Sequence, residues 1–575
     1  MIRKTLPDPS TALRRGSGDV LSLSKGQGSG HRLGILALLL LLPLLLFAPV
    51  VLGPKTLLPA DNLFLFEPYR AAADELGVGV PQNPLLNDLI LENYVWKQFV
   101  VEAIQNQELP LWNPYIFAGH PFLANGQHSA LYPLSVVFYV LPLWRAYGMF
   151  TWLQLGLAGM FAYLFARVLG IRRLGGLIAG ITFQFSGFLV VSVVHPMIIA
   201  GASWLPFILA MVELIVQQRP ALGRRQATLP WALLGALGLG CQMLAGHAEN
   251  TYFVLLITGA FALWRLITQP TSKPTNKSRF VSWFVGLLVG SRRAAMWLVV
   301  MLTLGLALGA VQFVPLYQVA TTSFRAGEAA ASLQQVLGWA YPPRRLITFG
   351  IPNFFGNPAH RSYFDLFEWR TVPVTTNSYG EPILNPDWGI KNYVEGGAYL
   401  GLLPLFLAVI AVLANRQISK SANRQISSRL INWFRHPHIP FFTLLALFSL
   451  GCIFGTPLYA LVYALPFISQ SHSPFRWVFP LTLSVAVLAG FGVNVLIENR
   501  KRLLDEKAGS KKQETIRNSL FVIRNLLLLN TSPSLVSILA AAAFWGGMVT
   551  LAGLALSWVF FTQIEPLVER VFLSL

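Results

Sequence analysis

The sequence predicts an all-α polytopic membrane protein with about eleven transmembrane helices and two large extracytoplasmic loops. Three observations carry that expectation. The chain is 54% apolar and only 12% charged, roughly half the charged share of an ordinary soluble protein. It contains repeated apolar runs of the length, about 20 residues, that crosses a hydrocarbon core of roughly 30 Å. Its net charge of +19 is concentrated in short loops between those runs, a pattern that orients helices in a membrane and gives no reason to invoke nucleic acid.

The elements follow in order. Residues 1–32 hold six Lys/Arg against Asp8 and Asp19, which places this Ser- and Gly-rich, disordered tail in the cytoplasm. Residues 33–52 carry no charge. A cleaved signal peptide would be shorter, nearer Met1 and followed by a small-residue cleavage site, whereas this run ends in Pro49-Val50-Val51-Leu52-Gly53-Pro54, so it is read as a retained anchor. Residues 54–130 then form the first external loop, with eight acids against three bases. The apolar segment 131–144 is only 14 residues long and contains Pro133 and Pro142. It is read as interfacial or re-entrant, because only then do Arg172 and Arg173 fall inside.

Spans are expected near 150–169, 175–194, 197–216, 229–246, 251–268, 295–316, 396–414, 440–456, 476–497 and 537–561. The inside loops between them carry Arg219, Arg224 and Arg225, then Arg265 through Arg293, then Arg416 through Arg435, and no acid. Residues 320–395, with six bases and six acids and many aromatics, Pro and Gly, form the second external loop. The stretch 457–475 reads as a loop or a re-entrant hairpin. Residues 33–500 thus form the transmembrane domain, 501–536 a basic cytoplasmic loop, and 537–575 a final span with a short external tail. The repeat of Ala-Asn-Arg-Gln-Ile-Ser at 414–419 and 422–427 is a local duplication in an inside loop. Cys241 and Cys452 lie in apolar segments and support neither a disulfide framework nor a cysteine metal site.

Of nine histidines, His120, His128, His195, His247, His360 and His472 fall on the outer side, most of them at a membrane boundary. A polar residue there costs free energy unless it meets water, a partner or a ligand. A functional cluster and simple tolerance of the interface both account for the group. Residues 88–107 have the periodicity of a helix lying on the membrane surface. Asp88 and Glu92 share a face at i,i+4, and their repulsion is expected to raise the pKa of one carboxylate. Asp88 also stands where a helix N-cap belongs, and spacing alone does not choose between cap and chemistry.

The first loop runs through Leu109-Pro110-Leu111-Trp112-Asn113-Pro114, Ala118-Gly119-His120-Pro121, Asn125-Gly126-Gln127-His128 and Tyr132-Pro133. Later come Ala245-Gly246-His247 with Glu249, Ser473-Pro474-Phe475-Arg476, and Leu488-Ala489-Gly490-Phe491-Gly492. With an outward first helix and an external Asp before an amphipathic segment, this order resembles the bacterial YfhO membrane-protein family over roughly residues 33–500. The resemblance implies a GT-C type glycosyltransferase fold in a bacterial plasma or inner membrane, N-terminus cytoplasmic and C-terminus extracytoplasmic. It also implies a polyprenyl-phosphate-linked sugar as donor and a cell-envelope polymer or glycolipid as acceptor. By position the first-loop acid of such enzymes maps to Asp88, with Asp61 second. His120, Gln127, His128, His247 and Glu249 are the candidate substrate-binding residues of the shared motifs. Family members often continue into a larger external carboxyl-terminal region, where this sequence carries one further span.

The implied chemistry is physically coherent. A lipid phosphate leaves as a stable anion without protonation, so one carboxylate base suffices, unlike the paired carboxylates of glycosidases. Arg476, in the first turn of its helix after Ser473 and Pro474, is the candidate phosphate seat, because an anion there relieves its conflict with the helix dipole. An arginine snorkelling to the interface is the alternative. His472 is a candidate assistant, and Arg344 and Arg345 are weaker cation candidates. No ligand spacing argues for a metal, although Asp61, Asp88 and external histidines could meet in space around a divalent cation. Two other readings remain. A flippase for a lipid-linked saccharide would call for charges at mid-membrane, where Glu213, near the inner end of its span, is the only candidate acid. A non-catalytic envelope-assembly subunit would survive replacement of every external acid.

Overall fold

A computed structural model describes residues 29–79, 86–218, 228–268, 292–322, 332–356, 362–365, 369–373, 397–418, 436–465 and 474–510. The amino-terminal tail to residue 28, His360, His472, most of the second loop, the basic loop beyond 510 and the expected span 537–561 lie outside the described residues.

The chain is helical throughout its apolar runs. The first anchor is two helices, α1 (Ser29–Leu41) and α2 (Leu44–Val51). They meet at a bend of 59°, because Pro43 at the join lacks an N–H and its ring blocks a continuous helix. In the first loop a single π turn, Leu89–Asn93, leads into α3 (Tyr94–Gln105). Ahead of Leu143 the segment 131–144 holds only a 3₁₀ turn, Pro133–Ser135, and a five-residue helix, Val136–Val140, far too short to cross about 30 Å at 1.5 Å per residue. Two minimal hairpins pair β1 (Trp112–Asn113) with β2 (His120–Pro121) and β3 (Ser362–Asp365) with β4 (Arg370–Pro373).

The membrane helices are α4 (Leu143–Val168), α5 (Arg173–Gln184, continued by short turns to Val194), α6 (Pro196–Ser203) running into α7 (Leu205–Val216), α8 (Leu229–Leu244), α9 (Ala248–Thr268), α10 (Arg292–Thr322), α11 (Leu402–Ile418), α12 (Ile439–Ile453) and α13 (Val478–Ser510). Among the described residues six stretches are long and apolar enough to cross a membrane, and the bent α1–α2 pair makes a seventh. The chain is therefore a multi-pass membrane protein. Eleven spans were expected; α8, α11 and α12 stand at expected positions but are shorter, and a helix of 16 residues such as α8 reaches only about 24 Å.

The helices stack in a row, α10 on α8, α8 on α7, α7 on α4, α4 on α5, α5 on α13, and α13 on both α11 and α12. Small residues allow the closest crossings. A Cβ on Gly175 of α5 would meet the Gly490 carbonyl oxygen at 2.5 Å, and a Cβ on Gly492 would collide with the Leu407 carbonyl of α11. The Gly490-Phe491-Gly492 pattern in the family-like motif is thus explained by helix contact.

One end of the row holds a buried ion pair. Arg265 of α9 donates from Nε to Glu213 Oε2 at 2.7 Å and from Nη2 to Oε1 at 3.0 Å, and His438 Nε2 stands 3.7 Å from the same carboxylate. Arg265 was expected among the loop arginines that face the cytoplasm. It is instead buried, because the acid one helix away holds it in the interior. At the same end Arg172 of the α4–α5 turn pairs with Glu498 of α13 at 3.4 Å. The opposite end carries the first loop.

Candidate functional site

At the first-loop end, three turns converge: 192–198 between α5 and α6, 245–250 between α8 and α9, and 474–477 leading into α13. Ser192, His195, Ile198, His247, Asn250 and Arg476 line a cavity of about 20 Å³, room for about one water molecule. Asn250 organises two of these turns. Its Nδ2 donates to the Ile198 carbonyl at 3.0 Å and its backbone N–H donates to His247 Nδ1 at 3.2 Å. That bond leaves the proton of a neutral His247 on Nε2.

Arg476 stands in a 3₁₀ turn, Pro474–Trp477, that runs straight into α13. Its guanidinium is paired with the Glu249 carboxylate in the first turn of α9. The expected cation and the expected motif acid are therefore brought together, and each is the other's partner. His195 connects them to the first loop. Burial lowers its pKa, the Asp88 carboxylate raises it, and the Arg476 guanidinium lowers it. Burial first, then Arg476 and His195, push His247 down to about 3. Both imidazoles are thus neutral at pH 7 beside a cation.

Asp88 is exposed and does not line the cavity. Its backbone is helical and its side chain makes no capping bond, so the capping role that its position suggested is not realised. Glu92, one turn on, has its pKa raised by burial and then by Asp88. Asp61 lies half-exposed on a 3₁₀ turn, Ala60–Leu65, that packs against the Leu89–Asn93 turn. The two candidate carboxylates therefore belong to neighbouring elements.

The remaining candidates separate. His128 is buried, stacked on Phe122 with ring centres 4.3 Å apart. Its Nδ1 accepts from the Ala130 N–H at 3.0 Å and its Nε2 donates to the Phe122 carbonyl at 3.1 Å. Both nitrogens are engaged, so His128 shapes its loop and offers nothing to a ligand. Gln127 is exposed. His120 is half-buried on β2, 6.4 Å from the Phe122 ring, away from the cavity. Arg345 is buried with its guanidinium 4.0 Å from the Tyr341 ring centre. Tyr341 in turn stacks on Phe475 at 5.2 Å, so Arg345 braces the turn that carries Arg476 without lining the cavity. His472 lies outside the described residues. Among the described residues no three His, Cys, Asp or Glu side chains converge to hold a metal ion.

One contact joins the two motif segments. Gly126 (φ +74°) and Gly246 (φ +85°) both have backbone conformations that favour glycine, and each stands on the other's carbonyl. A Cβ on Gly126 would meet the Gly246 oxygen at 3.0 Å, and one on Gly246 would collide with the Gly126 oxygen. Ser129 Oγ donates to the Ala245 carbonyl at 2.7 Å beside them. Sequence reasoning missed Ser192 and Asn250 as cavity residues and Lys97 as a buried cation. Asn250 could have been found as a polar residue in the first turn of an apolar helix, next to Glu249.

No family model matches the chain, and no curated protein matches it. Two solved structures do. The apo oligosaccharyltransferase of Archaeoglobus fulgidus aligns with a TM-score of 0.41 and 12% identity, over 89% of this chain and 55% of that one. The archaeal oligosaccharyltransferase AglB from Archaeoglobus fulgidus, in complex with an inhibitory peptide and a dolichol-phosphate, aligns with a TM-score of 0.38 and 12% identity, over the same shares. The alignment spans about half the length of these proteins.

Proposed function

We propose that this chain is a membrane glycosyltransferase that moves a sugar from a polyprenyl-phosphate donor to a cell-envelope polymer or glycolipid on the extracytoplasmic face of a bacterial plasma membrane. The observation that supports it is a cavity at the first-loop end where Arg476, paired with Glu249, meets His195, His247 and Asn250, with the Asp88 carboxylate raising the pKa of the same His195 that Arg476 lowers. A carboxylate of the first loop and a cation at the start of α13 therefore both bear on one histidine of the cavity, although Asp88 itself stands outside it.

The roles follow from charge. The donor phosphate takes the place of the Glu249 carboxylate on Arg476, a charge-assisted bond for a charge-assisted bond. Neutral His247, with its proton on Nε2, and Asn250 line the same cavity and supply polar contacts without adding charge. Asp88 accepts the proton of the acceptor hydroxyl as its oxygen bonds to the anomeric carbon. The bond between that carbon and the phosphate oxygen breaks, and the lipid phosphate departs as an anion. A cavity of about 20 Å³ does not admit a phosphate, so Glu249 has to swing aside as donor binds.

The test is transfer from a radiolabelled polyprenyl-phosphate sugar by purified protein in lipid nanodiscs. Replacing a general base lowers turnover by about 10²- to 10⁴-fold, and that is the expectation for Asp88→Asn. Transfer by this variant at the wild-type rate removes Asp88 from the mechanism.

A further inference from the structure

Lys97 is a buried titratable group that the proposed chemistry leaves unused. It lies on α3 with 1% of its surface exposed. Its Nζ donates to the His128 carbonyl at 2.6 Å and sits 4.3 Å over the Phe138 ring centre. The titratable groups on the elements around it are Glu92 on the preceding π turn, Tyr94 and Glu102 on its own helix, Arg145 on α4, and then His128 on the 125–130 loop, Tyr139 on the short helix Val136–Val140, and Tyr147 on α4. The last three already have partners: His128 as described, Tyr139 through the Ala130 carbonyl at 2.6 Å, and Tyr147 through Asn93 Oδ1 at 2.9 Å. Neither Glu92 nor Glu102 pairs with it: among the described residues no ion pair reaches Lys97, and burial alone shifts it. A buried ammonium without a counter-ion is costly, and a methionine would fill the same space without that cost. Burial pushes the Lys97 pKa down to about 7.

What the lysine supplies is a tie. The loop it holds is fixed on its far side to the α8–α9 turn by the Ser129 bond to Ala245 and by the Gly126–Gly246 contact. The next residue of that turn is His247. We propose that Lys97 is a positioning residue: by binding the His128 carbonyl to α3 it sets the distance between the helix that follows Asp88 and the turn that carries His247 and Glu249. Asn93, one turn earlier, reinforces the tie through the Gln127 carbonyl at 3.5 Å. The distance is a property of the fold; only its effect on turnover rests on the glycosyltransferase reading.

The experiment is a spin-label distance between Glu102→Cys on α3 and Ala248→Cys on α9, both exposed, in the full chain in nanodiscs; the native Cys241 and Cys452 are buried. Wild type gives a narrow distribution at pH 6 that broadens at pH 9, where the neutral amine keeps only an uncharged and weaker bond to the carbonyl. Lys97→Met is broad at both values, and Lys97→Arg, which stays charged, is narrow at both. Lys97→Met also unfolds at a temperature no lower than wild type at pH 6, which separates positioning from ordinary structural loss. Identical narrow distributions for wild type and Lys97→Met at pH 6, or a fall in unfolding temperature for Lys97→Met, overturn the proposal. In the transfer assay Lys97→Met lowers kcat by about tenfold or more at unchanged donor KM. Absence of any transfer by wild type counts against the glycosyltransferase reading and leaves the distance measurement to decide on Lys97.

Discussion

Removing Arg265 alone should be far worse than removing it together with its partner. Glu213 is fully buried and accepts two bonds from the guanidinium, at 2.7 and 3.0 Å. A bond to a charged group contributes about 1.5–3 kcal/mol, so Arg265→Met forfeits roughly 3–5 kcal/mol, the range found when one half of a buried pair is left behind. Gln217 still donates to the carboxylate and His438 stands 3.7 Å away, which puts the expectation at the lower end, about 3 kcal/mol. That is about a hundredfold in the folded-to-unfolded ratio. The double variant Glu213→Gln/Arg265→Met buries no charge and should return to within about 1 kcal/mol of wild type. Equilibrium unfolding in mixed micelles measures both. A single variant as stable as wild type, or a double variant no better than the single, refutes the account of this cluster.

Three further outcomes follow from the site. Gly246→Ala forces a Cβ onto the Gly126 carbonyl at a positive φ and should cost about 2–4 kcal/mol from strain and overpacking together; a loss under about 0.5 kcal/mol, the noise of a surface change, shows that the two turns separate freely. His128, held down to about 3 by burial, stays neutral in the fold while the unfolded chain takes up a proton near pH 6.5, so its contribution is complete above that value. It is lost at up to about 1.4 kcal/mol per pH unit as pH falls from 6.5 toward 3, and His128→Gln should remove that share of the acid slope in pH-resolved unfolding. Glu249→Gln releases Arg476 from its anionic partner and should tighten polyprenyl-phosphate binding about tenfold or more by calorimetry, with unchanged affinity showing that the phosphate does not sit on Arg476.

What was legible in the sequence was whatever depends on local pattern. Apolar runs of spanning length, with one charge at most, gave α4 through α7, α9, α10 and α13, because a helix in lipid must satisfy its own backbone. The two prolines of 131–144 gave a non-spanning segment, and the structure has a 3₁₀ turn and a five-residue helix there. The proximity of residues 125–130 to 245–250 was not legible, since nothing in Asn125-Gly126-Gln127 or Ala245-Gly246-His247 announces a contact across 120 positions of sequence. The same holds for Arg265, whose neighbours in sequence are those of a cytoplasmic-loop arginine and whose partner is a helix away. For the candidate site, residue types signalled Arg476, Glu249 and His247 as polar groups at helix ends, but not that Arg476 and Glu249 neutralise each other. His128 looked like a ligand because a histidine beside a glycine turn has the same sequence appearance whether its nitrogens are free or bonded.

The kink at Pro43 bears on the thickness of the surrounding lipid. Straight, the apolar residues 33–51 would reach about 28 Å at 1.5 Å each. With residues 44–51 turned aside by 59° and α1 upright, the reach falls to about 23 Å, several ångströms less than a typical bilayer interior. The anchor then fits best where the membrane is thin, and a thicker one drags the root of the first loop, with Asp61 a few residues beyond it, down toward the acyl chains.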